Sequence, residues 1–138
     1  MRLWHKDLIP YLPYQQLIGQ WRECCLIARN ISYYDKPNHI LVNKVVKYPL
    51  GHLWQYGVMI AGEKYHRGFV CDFNRFEQWF ANPDKLVIPS DRELFADWHN
   101  ERYLDQCYYN IQEKYDCGGV PEKEWQRFYE GYKYLKGE

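Results

Sequence analysis

Arg22 and Glu23 stand side by side in the run Gln15-Gln16-Leu17-Ile18-Gly19-Gln20-Trp21-Arg22-Glu23-Cys24. The spacing predicts a helix with this basic and acidic pair on its non-core side. Such a pair has a specific use if a chain-end amine lies nearby. An α-amine has a pKa of roughly 7.7–8, so a useful fraction is neutral and nucleophilic at physiological pH. It can condense with C1′ of a deoxyribose to form an imine, which is cationic and favours a neighbouring carboxylate. That carboxylate can also assist the proton transfers that lead to β-elimination. Glu23 suits the role if the first residues fold back against the helix. Arg22 and Arg29 would meet phosphates on the same side, because a planar guanidinium matches phosphate oxygens better than an ammonium does. On residue types alone, an Arg-Glu pair is more often just the solvated face of a surface helix.

The helix that holds the pair is expected over Tyr14 to Asn30, after Pro10 and Pro13. At about 100° per residue, Leu17, Trp21, Cys24 and Ala28 fall in one stripe that should face a core. Gln15, Arg22, Leu26 and Arg29 cluster opposite, with Gln16 and Glu23 on one flank. Gly19 costs such a helix roughly 0.5–1 kcal/mol relative to alanine, which suggests a close approach to its backbone, by a ligand or by another helix. Residues 30–48 read as loop with a short extended or irregular segment. A second helix is expected from Pro49 to about His66, stopping at Gly68, with Leu50, Leu53, Trp54, Val58, Ala61 and Tyr65 at helical spacing. Gly51, Gly57 and Gly62 in that helix permit close packing. Phe73 to Phe80 reads as a short aromatic helix ended by Asn82-Pro83. A third long helix is expected from Asp91 to Tyr115, with Ser90 and Glu93 as a capping box and Leu94, Trp98, Leu104, Tyr108 and Ile111 inward. The tail from Pro121 adds a helical turn or two and then an aromatic stretch. The expected fold is all-α: one compact domain, residues 1–138, of three main helices with irregular connections, its N-terminus packed beside the first helix.

Composition sets the bounds. The 138 residues suffice for one domain with a core and are too few for two. With 46% hydrophobic and 26% charged residues, the chain should be globular rather than disordered. Its 14 Tyr and 6 Trp exceed what a small core needs, so some rings should lie where they can stack on bases or sugars, unless they form a Tyr-rich core and rim. Eighteen basic residues balance eighteen acidic ones, which argues against a strongly basic nucleic-acid binder but allows a local basic stripe. No stretch reaches the roughly 20 apolar residues of a membrane span, and residues 1–7 lack the apolar core of a signal peptide. Five cysteines (24, 25, 71, 107 and 117) without a C-x-x-C pair fit a reduced, cytoplasmic protein. Histidines 5, 39, 52, 66 and 99 match no zinc spacing, so no metal site is expected. Cys107 reads as a small core residue rather than a nucleophile paired with His99.

From Leu8 to Glu23 the chain reads L-I-P-Y-L-P-Y-Q-Q-L-I-G-Q-W-R-E. This resembles the opening of the pyrimidine-dimer DNA glycosylases of the phage endonuclease V type. The likeness includes the distance from the N-terminus to Arg22-Glu23. It extends more softly to Gly51-His52, to Arg67-Gly68-Phe69 and to the aromatic-basic tail Trp125, Phe128-Tyr129-Glu130-Gly131-Tyr132-Lys133-Tyr134. About a third of the chain is covered. The resemblance implies a bifunctional glycosylase and abasic-site lyase acting on double-stranded damaged DNA as a monomer, with a terminal α-amine as nucleophile and Glu23 as the catalytic carboxylate. It places Arg22 on backbone phosphate, Gln15 and Gln16 in the same groove, Arg29 among the phosphate contacts, and Trp125, Tyr129, Tyr132 and Lys133 on the damaged strand. It calls for no metal or cofactor, so activity is expected to survive chelators. Base extrusion, which the family performs, is easiest at damaged sites.

Three features differ from the family pattern. The second residue is Arg2 rather than a small one, so Met1 retained at the chain end and Arg2 exposed after its removal are both candidates for the amine. Leu26 stands where the family has a further arginine. The neutral net charge implies weaker nonspecific DNA affinity, less tolerant of salt. The reading from another class is a non-catalytic helical module that binds nucleic acid or protein through its aromatic surface.

Overall fold

The computed structural model describes all 138 residues and contains helices and no strands. Five α-helices form: α1 (Tyr14–Tyr34), α2 (Leu50–His66), α3 (Asn74–Glu77), α4 (Glu101–Asp116) and α5 (Glu122–Leu135). Short 3-10 turns at Lys6–Tyr11, Asn43–Lys47 and Pro83–Lys85 join them. The all-α architecture expected from the sequence is present, and α5 adds a further long helix to it.

α1 follows its periodicity. Leu17, Trp21, Cys24 and Ala28 are buried, as are Gln20 and Ile27, while Gln15, Arg22, Leu26 and Arg29 are exposed. The helix runs four residues past the expected end and stops where Asp35 turns left-handed, at φ 62°. Gly19 has no close neighbour: a Cβ there would meet nothing nearer than the Arg22 guanidinium at 3.9 Å. The close approach expected at Gly19 occurs instead at three other glycines. A Cβ on Gly51 would lie 2.0 Å from the Val87 carbonyl oxygen, one on Gly57 2.4 Å from the Phe76 ring, and one on Gly131 2.2 Å from the Tyr11 ring. Gly62, expected to permit similar packing, has no heavy atom within 4 Å of such a Cβ.

The inner face of α2 is Leu53, Tyr56, Gly57, Ile60 and Lys64. Of the residues set at helical spacing, Leu50, Val58 and Tyr65 are exposed, because α2 turns its Leu53, Tyr56, Gly57 and Ile60 side inward, with Gly57 against the Phe76 ring. Residues 30–48 hold the end of α1, an irregular loop and a 3-10 turn, so of the extended or irregular segment expected there the irregular one is present.

The expected helix over 91–115 begins only at Glu101, where Asn100 caps the Tyr103 amide. The Ser90–Glu93 box forms, with reciprocal bonds of 3.3 and 3.0 Å, but it heads a chain of turns. The inward residues Leu94, Trp98, Leu104, Tyr108 and Ile111 are all buried nonetheless. The tail forms a 14-residue helix, α5, which buries Trp125, Phe128 and Gly131 and packs on the turn at Lys6–Tyr11.

One core of 27 buried apolar residues joins the five helices and the turns at Lys6–Tyr11 and Asn43–Lys47. Leu3, Trp4, Leu8, Ile9 and Leu12 belong to it, so the first dozen residues are part of the interior. At roughly 1.5–3 kcal/mol per fully buried large side chain, that burial fixes the N-terminal segment firmly.

Candidate active site

Polar ties fix where the chain begins. Arg67, at the end of α2, pairs with Glu63 at 2.7 Å and donates to the carbonyls of Leu12 (2.8 Å) and Pro10 (3.1 Å). Lys6 is buried; its ammonium donates to the Asp91 and Leu94 carbonyls at 2.5 and 2.7 Å, and its backbone N–H donates to His99 Nδ1 at 2.9 Å. Burial lowers the Lys6 pKa, against the pull of Asp7 and Asp91. His99 is held well below its ordinary value by burial, with His5 and Lys6 adding to the effect. It is therefore the neutral imidazole, accepting at Nδ1. Tyr103 on α4 donates its hydroxyl to the Leu3 carbonyl at 2.7 Å.

This clamp brings residue 2 to α1. The Arg2 backbone N–H lies 3.2 Å from Glu23 Oε2. Gln20, one turn earlier and fully buried, joins the two. Its Nε2 donates to the Arg2 carbonyl at 2.7 Å and to Glu23 Oε2 at 3.1 Å, and its Oε1 accepts the Trp4 N–H at 2.6 Å. The Tyr56 hydroxyl from α2 lies 2.7 Å from the same Oε1 and 2.6 Å from the Trp4 carbonyl oxygen. Gln20 thus uses its whole amide to splice the first residues onto α1 beside Glu23. Burial raises the Tyr56 and Tyr103 pKa values, so both hydroxyls stay protonated donors. The Arg2 guanidinium lies over the rings of Trp4 and Tyr103, at 5.8 and 5.9 Å.

The other residues singled out in the sequence are distributed as follows. Met1 is half-buried against the core. Gln15 is exposed, and Gln16 is half-buried with a shielded Oε1 that has no partner. Arg22 and Arg29 are exposed and line an open cleft of about 380 Å³ with Arg75, Gln78 and Trp79. Cys25 lies in this cleft; burial pushes its thiol up to about 11, against the opposing pull of Arg75. Cys24 and Cys107 are buried thiols whose pKa values burial also raises. Cys107 is thus a protonated core residue, in line with its sequence reading.

The tail aromatics depart from their expected place on an open surface. Trp125 is buried, its ring stacked on Tyr115 at 4.4 Å. Tyr132 stacks on Tyr108 at 3.8 Å and donates to Asp105. Tyr129 is half-buried with the Lys133 ammonium 5.3 Å from its ring centre. None of the four touches the Arg2–Glu23 group. They pack α5 onto α4, because two amphipathic helices joined by a short connection bury their aromatic faces together.

Sequence reasoning missed Gln20, Tyr56, Tyr103 and Lys6, and gave Arg67 no role beyond its place in the family likeness. Gln20 carried the one readable signal, a polar residue inside the apolar stripe of α1. No three His, Cys, Asp or Glu side chains gather into a metal-binding group, and no helix is long and apolar enough to cross a membrane.

The arrangement can therefore set the nitrogen of residue 2 against a carboxylate. No curated protein and no solved structure matches the chain. One family profile does match, over residues 1–77, more than half of the chain; its description is pyrimidine dimer DNA glycosylase.

Proposed function

The chain belongs to the pyrimidine dimer DNA glycosylase family, and from that premise we propose that it excises a damaged pyrimidine, a cyclobutane dimer above all, and then cuts the strand as an abasic-site lyase. The nucleophile is the chain-end amine and Glu23 is its carboxylate. The neutral amine attacks C1′, the glycosidic bond breaks and the base leaves with its electron pair. The sugar ring then opens, O4′ takes a proton, and a protonated imine links the chain end to C1′. Glu23 faces that cation. Loss of a proton from C2′ expels the 3′-phosphate in β-elimination, and water hydrolyses the imine to free the protein.

The observation that carries this reading is the 3.2 Å separation between the residue-2 nitrogen and Glu23 Oε2. With Met1 removed, that nitrogen is the amine itself. With Met1 retained, the amine is one residue farther out, and the Arg2 N–H and Gln20 instead orient Glu23. Arg22 and Arg29 take phosphates, and Gln15 and Gln16 line the same groove. Of the tail residues, Tyr129, Tyr132 and Lys133 keep an exposed portion for the strand, and Trp125 is buried.

Borohydride in the presence of duplexes carrying an abasic site or a dimer should give a covalent protein–DNA adduct. Sequencing the trapped peptide identifies the amine as Met1 or Arg2, and the intact mass shows which residue begins the chain. Glu23→Gln should lose strand cleavage at least a hundredfold, within the usual range for removing a group that acts in proton transfer, with its melting temperature kept. No adduct on either substrate would overturn the imine mechanism; full cleavage by Glu23→Gln would remove Glu23 from it.

A non-catalytic nucleic-acid-binding module is the second reading, and Met1 is the observation in its favour. While Met1 is attached, the nitrogen beside Glu23 is an amide and not nucleophilic. An absent adduct together with retained DNA binding would select it.

A further inference from the structure

The segment between α1 and the turn at Asn43–Lys47 ends in an apolar tip that nothing covers. Ile40 is 85% exposed and Leu41 47%. The tip is held out by its own bracing. The His39 N–H donates to Asn43 Oδ1 at 3.1 Å, the Leu41 N–H donates to His39 Nδ1 at 3.3 Å, and Val42 and Val45 anchor the base in the core. A braced apolar tip does not collapse onto the protein, so its exposure is built into the fold. The tip also has defined neighbours. Ile40, Leu41 and Lys44 line an open cavity of about 270 Å³ together with Arg2, Arg102 and Tyr103. None of the three cations there forms an ion pair. An exposed aliphatic pair beside cations that no carboxylate neutralises, one of them the side chain of the residue whose nitrogen meets Glu23, is complementary to a polyanion that has an apolar interior.

We propose that the Ile40–Leu41 tip is a wedge that enters the base stack of duplex DNA at the lesion, while Lys44, Arg102 and the Arg2 guanidinium hold the flanking phosphates. The site of entry rests on the glycosylase reading, because it is set by the distance from Arg2. A nucleotide turned out of the stack leaves a gap in the duplex, and aliphatic side chains inserted between base steps stabilise such openings. The cations supply the attraction that does not depend on sequence.

The test uses the full chain and the double variant Ile40→Ala/Leu41→Ala, whose two sites are exposed and should leave thermal melting unchanged. One substrate is an abasic duplex with 2-aminopurine opposite the lesion; the other is the same abasic oligonucleotide as a single strand. Wild-type binding should raise 2-aminopurine fluorescence, and the double variant should lose that rise. Borohydride trapping should slow roughly tenfold on the duplex, where the stack must open, and keep its rate on the single strand, where it need not. An unchanged fluorescence rise, or an equal loss of trapping on both substrates, would overturn the wedge. If wild type forms no adduct even with the single strand, the imine reading fails, and the fluorescence still decides the wedge. Lys44→Ala/Arg102→Ala should lower the slope of log affinity against log salt by about 2 in magnitude, at roughly 0.9 for each phosphate no longer neutralised; an unchanged slope would remove both from the grip.

Discussion

Replacing Gln20 by leucine keeps the volume of the side chain and deletes its amide. Two groups then lose their only partners: the Trp4 N–H, held at 2.6 Å, and the Arg2 carbonyl, held at 2.7 Å. The Tyr56 hydroxyl keeps the Trp4 carbonyl at 2.6 Å, so it adds little to the loss. A buried group left without a hydrogen bond costs about 1–3 kcal/mol. Trp4 is fully interior, whereas Arg2 is half-buried and its carbonyl can recruit water, so it falls at the low end. The sum is about 2–4 kcal/mol, a large part of the roughly 5–15 kcal/mol that keeps a domain folded. In urea unfolding this moves the midpoint down by about 1–2 M at a slope of roughly 2 kcal/mol per M. The second readout is borohydride trapping without denaturant, under conditions where the variant stays folded. Its rate should fall, because Glu23 and residue 2 have lost the group that joins them. Gln20→Glu probes the contact with Glu23. It still accepts from Trp4, but it buries a second carboxyl group against the Arg2 carbonyl and Glu23, so it should lose at least as much stability as leucine does. Like charges raise each other's pKa, so the acid limb of the trapping profile should move to higher pH. A midpoint shift under about 0.3 M for Gln20→Leu would mean that the amide does not hold the segment, and the positional argument for Glu23 would fall with it.

Burial also predicts an acid weakness. His5 and His99 are held below the ordinary value near 6.5 by burial first. The unfolded chain therefore binds more protons than the folded one once pH falls below about 6.5. Stability should be flat above that value and drop below it, by up to about 1.4 kcal/mol per pH unit for each histidine; unfolding midpoints unchanged between pH 7 and 5 would contradict it. Gly131→Ala should destabilise the fold by about 1–3 kcal/mol, because its Cβ would lie 2.2 Å from the Tyr11 ring. Tyr11→Leu in the same chain should recover part of that loss, and a double variant with simply additive losses would place the strain elsewhere.

Helix α1 was legible because a single apolar stripe decides it. Its continuation into residues 31–34 was less so, as was the full length of α5, where the aromatic stretch beyond the first turns is helical and Gly131 packs against the Tyr11 ring. Residues 91–98 show how tertiary contacts override a helical pattern. The pattern and the Ser90–Glu93 box both favour a helix there, but its carbonyls are taken elsewhere. Lys6 occupies those of Asp91 and Leu94, and the Phe95 N–H donates to His52 Nδ1 at 3.1 Å. Phe95 itself sits at φ 47°, outside the helical region. A lysine and a histidine from distant positions have replaced the local ladder. Periodicity records neither, because it sees only residues a few positions apart.

The candidate site divides along the same line. Arg22 and Glu23 were readable as an acid-base pair, and their distance along the chain from Arg2 suggested a partner. What sequence could not supply was the means of closing that gap of 21 residues, which is made of buried polar groups. Gln20, Tyr56, Tyr103 and His99 satisfy backbone groups of residues 2–6, from three separate parts of the chain. Such groups are costly to bury unpaired, so the segment has few alternative positions with equal hydrogen bonding. That makes the placement of the residue-2 nitrogen a property of the core rather than of surface charge. Salt should therefore weaken phosphate contacts at Arg22 and Arg29 while leaving the Arg2–Glu23 geometry intact. Single-turnover trapping at saturating abasic DNA should hold its rate as salt rises, even as the DNA concentration needed for saturation climbs. A saturating rate that fell in step with affinity would locate the constraint at the surface instead.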